Sequence, residues 1–313
     1  MSENVKQHTL TLLGGNETEL RVSAAMLRDA IDALIEGSAK AARFAKEGYS
    51  VRSGPKPSWL DTVCDIQIKS LSSGSAVLQI ESPIIFKSEV DFFELETGET
   101  TEDQVTAIDY FGTFMAKVAH GKTDELSYDP ALIDTCLKFV KVTESDNAYS
   151  GIRLAGLSGS HKTVELAKDD VVRFEVLRDS YPQPRGIRVA CTLDTISAST
   201  SKVRLSLMDA TKAIGIVSQY DINELVDSFG KEVAITGLAH FRPSGKLQWI
   251  DIEQIEPRSN KDEIFEIIPQ ATAPLTINSD STDLCTDGVT AFYGQWPGDE
   301  SDEEWLKAIS EKA

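Results

Sequence analysis

The stretch "KVRLSLMDATKAIGIV", residues 202–217, decides the fold of the second half of the chain. In its first part Val203, Leu205 and Leu207 alternate with polar or charged residues, which is the period of a strand with one buried face. The "DATK" segment that follows is typical of a turn, and residues 213–217 are again largely apolar. The stretch therefore predicts two strands joined by a short turn.

The residues on either side extend this hairpin to a larger pattern. A long strand is predicted at 186–196 and a short helix at 221–229. Two more strands are predicted at 232–241 and 247–255, joined by "RPSGK". The order of three strands, one helix and two strands is that of the five-stranded OB barrel.

The first eighty residues show a different pattern. Two hairpins are predicted, one with strands at 8–13 and 20–22 around "GGN", the other at 64–82 around "SSGS". Between them, apolar residues recur at helical spacing from 24 to 46, and Gly48 provides a stop. Because one hairpin cannot cover this helix alone, we expect both hairpins to join in one sheet.

Three further elements precede the barrel. Helices are predicted at 105–118 and after Asp129, where Pro130 suits the first helical position. A hairpin is predicted around 158–160. The expected fold class is α+β, with an N-terminal mixed sheet and helices at 1–167, an OB-like five-stranded β-barrel at 168–257, and a flexible linker with an acidic C-terminal tail at 258–313.

Composition limits the class of protein. A chain of 313 residues is long enough for two domains, and its net charge of −19 opposes non-specific binding to nucleic acid or to anionic membranes. The four cysteines form no C-x-x-C pair. The first residues do not have the pattern of a signal peptide, and no apolar run reaches the ~18 residues that a membrane span needs. We expect a cytoplasmic protein without membrane contact.

Sequence motifs for an enzyme or a cofactor are not found. The "GLSGS" stretch at 156–160 resembles a nucleophile elbow but lacks the final Gly and lies in a predicted hairpin. His8, His120, His161 and His240 share no metal-binding spacing, and there is no glycine-rich phosphate loop. We therefore expect a non-enzymatic protein without metal or cofactor, although carboxylates that converge only in space stay open as an alternative.

The predicted barrel offers one candidate nucleic-acid surface. OB barrels bind single strands by stacking bases on aromatic residues in a basic groove. Residues that could line such a rim are Lys202, Arg204, His240, Arg242 and Lys246. Segment 186–257 has nine acidic and seven basic residues, so a solvated barrel edge is the alternative reading.

The C-terminal segment combines acids with aromatic residues. Residues 259–313 contain twelve Asp or Glu and three Lys, a net charge of −9. Within "AFYGQWPGDESDEEW", residues 291–305, the "WPGD" part predicts a turn, and a short acidic helix is expected to follow it. A helix this short needs a surface to dock on, which is either the protein's own body or a partner. Trp305, Leu306 and Ile309 would give the helix its apolar face.

The stretch "YGQWPGDESDEEWLKAI" resembles the C-terminal tails of small bacterial antitoxins, in which a W-P-G-D-E turn precedes an acidic helix. In that setting the tail accompanies a nuclease toxin, often of the PIN-domain type. The resemblance implies that Trp296, Pro297, Gly298 and Asp299 form the turn. It also implies that Glu300, Asp302 and Glu303 form the acidic face.

These observations predict a partner-binding protein, an antitoxin or inhibitory component that restrains a basic partner such as a nuclease toxin. The expected partner-binding residues are Phe292, Tyr293, Trp296, Pro297, Gly298, Asp299, Glu300, Asp302, Glu303, Glu304, Trp305 and Ile309. The alternative is an OB-fold protein that binds single-stranded nucleic acid and whose acidic tail covers its own groove.

Overall fold

The structure is a computed structural model. It describes residues 4–14, 22–72, 76–86, 104–123, 128–145, 148–158, 161–197, 201–209, 211–217, 225–265 and 270–271. The predicted linker and tail beyond residue 271, with all the expected partner-binding residues, lie outside these ranges.

The N-terminal half contains an antiparallel sheet. Its strands are β1 (Val5–Gly14), β2 (Gln67–Ser72), β3 (Ala76–Pro83), β6 (Tyr149–Ala155) and β7 (Thr163–Ala167). Two short strands, β4 (Ile85–Phe86) and β5 (Gln104–Val105), form a separate two-stranded ribbon. The sheet order is β2-β3-β1-β6-β7. The β2–β3 and β6–β7 hairpins were predicted. The predicted pairing of β1 with residues 20–22 is wrong, because β1 pairs with β3 on one edge and with β6 on the other. Most of 20–22 lies outside the described residues.

In the described ranges, five α-helices accompany this sheet. They are α1 (Ala24–Glu47), α2 (Ser58–Val63), α3 (Ala107–Ala119), α4 (Pro130–Lys141) and α5 (Val171–Asp179). Alternate side chains of the strands, such as Leu10 and Leu78, pack in one core with Leu34 of α1 and Phe111 of α3. The α1 helix ends as predicted at Gly48, which has a φ of 82° and donates its N–H to the Phe44 carbonyl at 2.8 Å.

The first core extends beyond the predicted domain boundary. Helix α5 follows residue 167, but its Phe174 and Leu177 are buried in the N-terminal core. The predicted boundary therefore divides a single core. The second core begins in the first barrel strand, where Val189 is its first buried residue.

Five strands close the barrel. They are β8 (Arg185–Ser197), β9 (Lys202–Leu207), β10 (Lys212–Ile216), β11 (Glu232–Phe241) and β12 (Leu247–Pro257). Their order is β10-β12-β11-β8-β9, with β10 and β12 parallel and the other pairs antiparallel. This is OB-like topology, so the predicted α+β class with a five-stranded barrel is confirmed. Only the end of the predicted helix at 221–229 is described, as a helical turn at Leu225 and Val226.

The segment after β12 also packs on the barrel. A 3-10 helix, Asn260–Phe265, lies against β8, and Ala271 is buried beside Phe241. The linker predicted from 258 onward is therefore part of the folded body in its first residues. Among the residues that the structure describes, no helix is both long enough and apolar enough to cross a membrane.

Candidate ligand-binding face of the barrel

The outer surface of β9 and β10 is the part of an OB barrel that binds oligonucleotides and oligosaccharides. Strand pairing places Arg204 of β9 next to Ile214 of β10, and Ile214 next to Trp249 of β12. In the neighbouring row Lys202 of β9 pairs with Ile216 of β10. Val203 and Leu205 alternate with Lys202 and Arg204 and point into the barrel core. These outward residues of β9 and β10, with Trp249, are called the β9–β10 face below.

The end of helix α1 covers much of this face. Phe44, Ile216 and Trp249 form a small buried cluster, in which the Phe44 and Trp249 rings meet edge to face at 5.6 Å. Gly48 lies so close that a Cβ there would be 2.5 Å from the Ile216 side chain. The N-terminal unit therefore occupies a surface that an OB barrel commonly offers to a ligand.

Lys202 is part of this contact. Its side chain is 3% exposed, and its Nζ donates to the Ala45 carbonyl at 3.2 Å, close to the C-terminal end of α1. A cation at this end of a helix is favourable, since the last carbonyls carry partial negative charge. Burial lowers the pKa of the Lys202 amine to about 7, although Glu47 opposes the shift. The prediction of Lys202 as a residue of an open basic rim is not supported, because α1 covers it.

His240 is also within the contact. Its ring stacks on Trp249 at 4.5 Å, Tyr49 lies edge-on to both rings, and its Nε2 is 3.0 Å from Oδ2 of Asp251. Burial lowers the pKa of His240 to about 4 and, together with Glu253, raises the pKa of Asp251 to about 7. Both shifts disfavour charge, so a single proton in the bond between the two groups suits this site at neutral pH.

The other three predicted rim residues lie outside the contact with α1. Arg204 is exposed on the β9–β10 face, between Thr195 and Ile214 on its neighbouring strands. Arg242 and Lys246 lie in the turn between β11 and β12, where the Arg242 N–H donates to the Lys246 carbonyl at 2.9 Å. The five residues are thus divided between a covered contact, an exposed strand and a turn, and they do not form one continuous basic rim.

A second group of ionisable residues is buried in the N-terminal unit. The Asp109 carboxylate accepts from Lys6 Nζ with both oxygens at 3.1 Å and from the Ser158 N–H at 2.7 Å. Ser158 also contacts Lys6, and Thr106 lies 3.0 Å from His8 Nε2. Burial lowers the pKa of His8 to about 4.

This group has a structural explanation. Thr106 and Asp109 form a capping box at the start of α3, and Ser158 fixes the β6–β7 turn to that helix end. Ser158 is 1% exposed, so its hydroxyl is not presented to a substrate. The described part of "GLSGS", residues 156–158, lies between the paired strands β6 and β7, as the predicted hairpin requires. No sequence motif connects Lys6, Asp109 and Ser158, because the packing of β1, the start of α3 and the segment after β6 brings them together.

Within the described ranges, no group of three or more His, Cys, Asp or Glu is arranged to hold a metal ion. No protein-family model, curated protein or solved structure matches this chain. The OB-like likeness is therefore one of topology, which identifies a fold and leaves its function to be argued from the site.

Proposed function

We propose that this chain is a non-enzymatic, partner-binding protein whose C-terminal segment, 272–313, binds and restrains a basic protein such as a nuclease toxin. The folded body from residue 4 to Ala271 acts as the carrier of that segment. Trp296 and Trp305 are the proposed anchors, and Asp302, Glu303 and Glu304 provide the charge that attracts the partner.

The observation that carries the proposal is the covered β9–β10 face. Phe44 and Gly48 of the N-terminal unit pack on it, and the Lys202 amine is used at the end of α1. A nucleic-acid ligand on this face would have to displace a buried apolar contact. This arrangement favours a binding role for another part of the chain.

Charge supports the same choice. The chain has a net charge of −19, of which residues 259–313 contribute −9. An acidic segment accelerates association with a basic surface and is repelled by phosphates, so a basic protein is the better partner. The aromatic residues in the same segment match the residue types that dominate protein interfaces.

The proposal is tested by co-expressing this chain with the product of an adjacent gene that is toxic alone. We expect the full chain to protect cells, and a chain that ends after Ala271 to fold but to give no protection. Trp296→Ala should weaken partner binding by about 30-fold, the ~2 kcal/mol of an interface hot spot. Arg153→Ala, which removes an exposed ion pair with Glu165 on the sheet, is the matched control and should protect fully. Full protection by the truncated chain would contradict the proposal.

Single-strand binding is the second candidate, and the OB-like topology is the observation that favours it. The residues available for it are Arg204 on the exposed strand and Arg242 and Lys246 in the β11–β12 turn. Their combined substitution by Ala should weaken oligonucleotide binding and reduce its salt dependence. Fluorescence anisotropy with a labelled single strand at low salt measures this, and absence of binding by the unaltered chain removes this candidate.

A further inference from the structure

The antiparallel sheet of the N-terminal unit has two edge strands, and they differ in how they are covered. At one edge, β7 directs Val164 and Leu166 into the core, where they are 2% and 1% exposed. At the other edge, residues 67–71 of β2 are all exposed, and Ile68 and Leu71 are each 49% exposed. An exposed edge strand with apolar side chains is a place at which a further strand can pair.

A β-bulge decides which way the two apolar residues of β2 point. In a regular strand, residues three apart point to opposite faces of the sheet. Here Ile68 pairs with Ile80, and Leu71 pairs with Leu78. Three steps on β2 therefore match two on β3, and Lys69 is the extra residue of the bulge. Since both partners on β3 belong to the N-terminal core, Ile68 and Leu71 lie on the same, core-facing side of the sheet.

Leu71 ends a row of apolar side chains that crosses the whole sheet. From β7 to β2, strand pairing aligns Val164, Leu154, Leu10, Leu78 and Leu71. The first four are at most 2% exposed, so the cover over this face ends before β2. A row that is buried on four strands and open on the fifth favours continuation by one more strand.

We propose that β2 pairs antiparallel with β2 of a second copy of this chain, across a two-fold axis between Lys69 and Ser70. In this register Ile68 of each copy lies opposite Leu71 of the other copy, so both apolar rows continue across the seam. The pairing joins the two five-stranded sheets into one sheet of ten strands. A closed dimer requires a surface that is complementary to itself, and β2 has this property.

The polar side of the strand also matches itself in this register. Lys69 and Ser70, which lie opposite each other, are on the solvent-facing side of the sheet. The Lys69 Nζ donates to Glu81 at 2.6 Å, Ser70 pairs with Gln79, and both partners alternate with the buried Ile80 on β3. The strand sequence "QIKSLS" contains no acidic residue, so the seam places no like charges of the acidic chain directly opposite each other.

The seam is small, because each copy contributes one strand of six residues. We therefore expect a weak dimer whose population depends on protein concentration. This inference goes beyond the proposed function and does not involve the C-terminal segment.

Sedimentation equilibrium of the full chain tests the association. From low to high micromolar concentration, the mean mass should rise from that of one chain towards that of two. Leu71→Lys places a charge in the apolar row and should weaken association at least ~10-fold. Val172→Lys is the matched control, since Val172 is an apolar residue that is 60% exposed on α5, and it should associate like the unaltered chain.

Cross-linking of the full chain tests the register. The background carries Cys64→Ser and Cys285→Ser, which leaves the buried Cys136 and Cys191. A mixture of the Ile68→Cys and Leu71→Cys variants should form a disulfide-linked dimer at least ~10-fold faster than either variant alone. Only opposite residues of the two copies reach the Cβ separation of ~4 Å that a disulfide needs.

Three results would overturn the proposal. A chain that sediments as a monomer at every concentration would leave the β2 edge to a strand of another protein or to residues outside the described ranges. Association that Leu71→Lys leaves unchanged would place the contact on another surface. Equally fast cross-linking in the mixture and in the separate variants would show a different register.

Discussion

The Lys202 amine lies in the contact between α1 and the barrel, where burial lowers its pKa from 10.5 to about 7. The unfolded chain holds this proton more tightly, so the free energy of unfolding decreases as pH falls from about 10 to 7 and then levels off. Lys202→Met keeps the aliphatic stem and should remove this decrease. Between pH 9 and pH 7 the unaltered chain should lose up to about 2 kcal/mol relative to the variant, since one pKa unit corresponds to ~1.4 kcal/mol.

Urea unfolding at both pH values measures this difference. Lys246→Met is the control, because Lys246 is exposed in a turn and should leave the pH dependence unchanged. An equal pH dependence for Lys202→Met and the unaltered chain would show that the amine stays protonated beneath α1.

Asp251 should make the free energy of unfolding depend on pH in the opposite direction from Lys202. Burial and Glu253 raise the pKa of its carboxyl from 3.8 to about 7. The contribution of this carboxyl to the free energy of unfolding is therefore complete below pH 4 and is lost as pH rises through 7. Asp251→Asn has nearly the same shape and carries no charge. We expect this variant to be more stable than the unaltered chain at pH 8 and to differ little from it at pH 4, as measured by urea unfolding. Lower stability at pH 8 would mean that the bond from His240 to an ionised Asp251 outweighs the cost of burial.

At the scale of elements, the crossing of α1 and α3 depends on Gly37. This glycine lies in the middle of α1, and a Cβ there would overlap the ring of Phe111, which is fully buried. Gly37→Ala gains ~1 kcal/mol of helix propensity, but overpacking costs about 1–3 kcal/mol, and here the whole ring must move. We expect a net destabilisation of about 1–2 kcal/mol in thermal or urea unfolding.

The neighbouring Ser38 is the matched control. Its hydroxyl is buried without a partner among the described residues, so Ser38→Ala should leave stability unchanged or raise it by about 1 kcal/mol. A Gly37→Ala variant as stable as Ser38→Ala would show that Phe111 is not tightly held.

The elements that the sequence predicted well have strong periodicity. Helix α1 and the strands around "KVRLSLMDATKAIGIV" show a clear contrast between apolar and polar positions, and their bounds differ from expectation by about one or two residues. Helix α5 shows little contrast, because Val172 and Val176 are exposed while Phe174 is buried. The 3-10 helix Asn260–Phe265 has no apolar periodicity, since a charged pair, Arg188 and Asp262, holds it on the barrel. Interactions between distant charged residues are not visible as periodicity.

The candidate site was harder to predict than the fold. Lys202 and Arg204 both belong to a plausible basic rim in the sequence, yet α1 covers one and leaves the other exposed. The covering residues, Phe44 and Tyr49, come from a unit more than 150 residues away in the chain. Sequence alone gives the outward direction of a strand residue, but it does not give what packs against it.

At the scale of the whole molecule, the two cores are joined through the Phe44, Ile216 and Trp249 contact. We expect the N-terminal unit and the barrel to unfold in one transition, because separation exposes this contact and leaves Lys202 without Ala45. Phe44→Ala should cost about 3 kcal/mol and should separate the two transitions. Hydrogen exchange at α3 and at β11 during a denaturant series measures the stability of each unit, and two different values in the unaltered chain would contradict this coupling.

In the proposed function, the C-terminal segment 272–313 is the binding element and the folded body carries it. Titration calorimetry of a purified toxic partner with the full chain and with a chain that ends at Ala271 tests it most directly. We expect tight binding to the full chain and at least a 100-fold loss for the shortened one, equal to ~2.7 kcal/mol. Equal affinity for both chains would contradict it and would place the binding surface on the folded body.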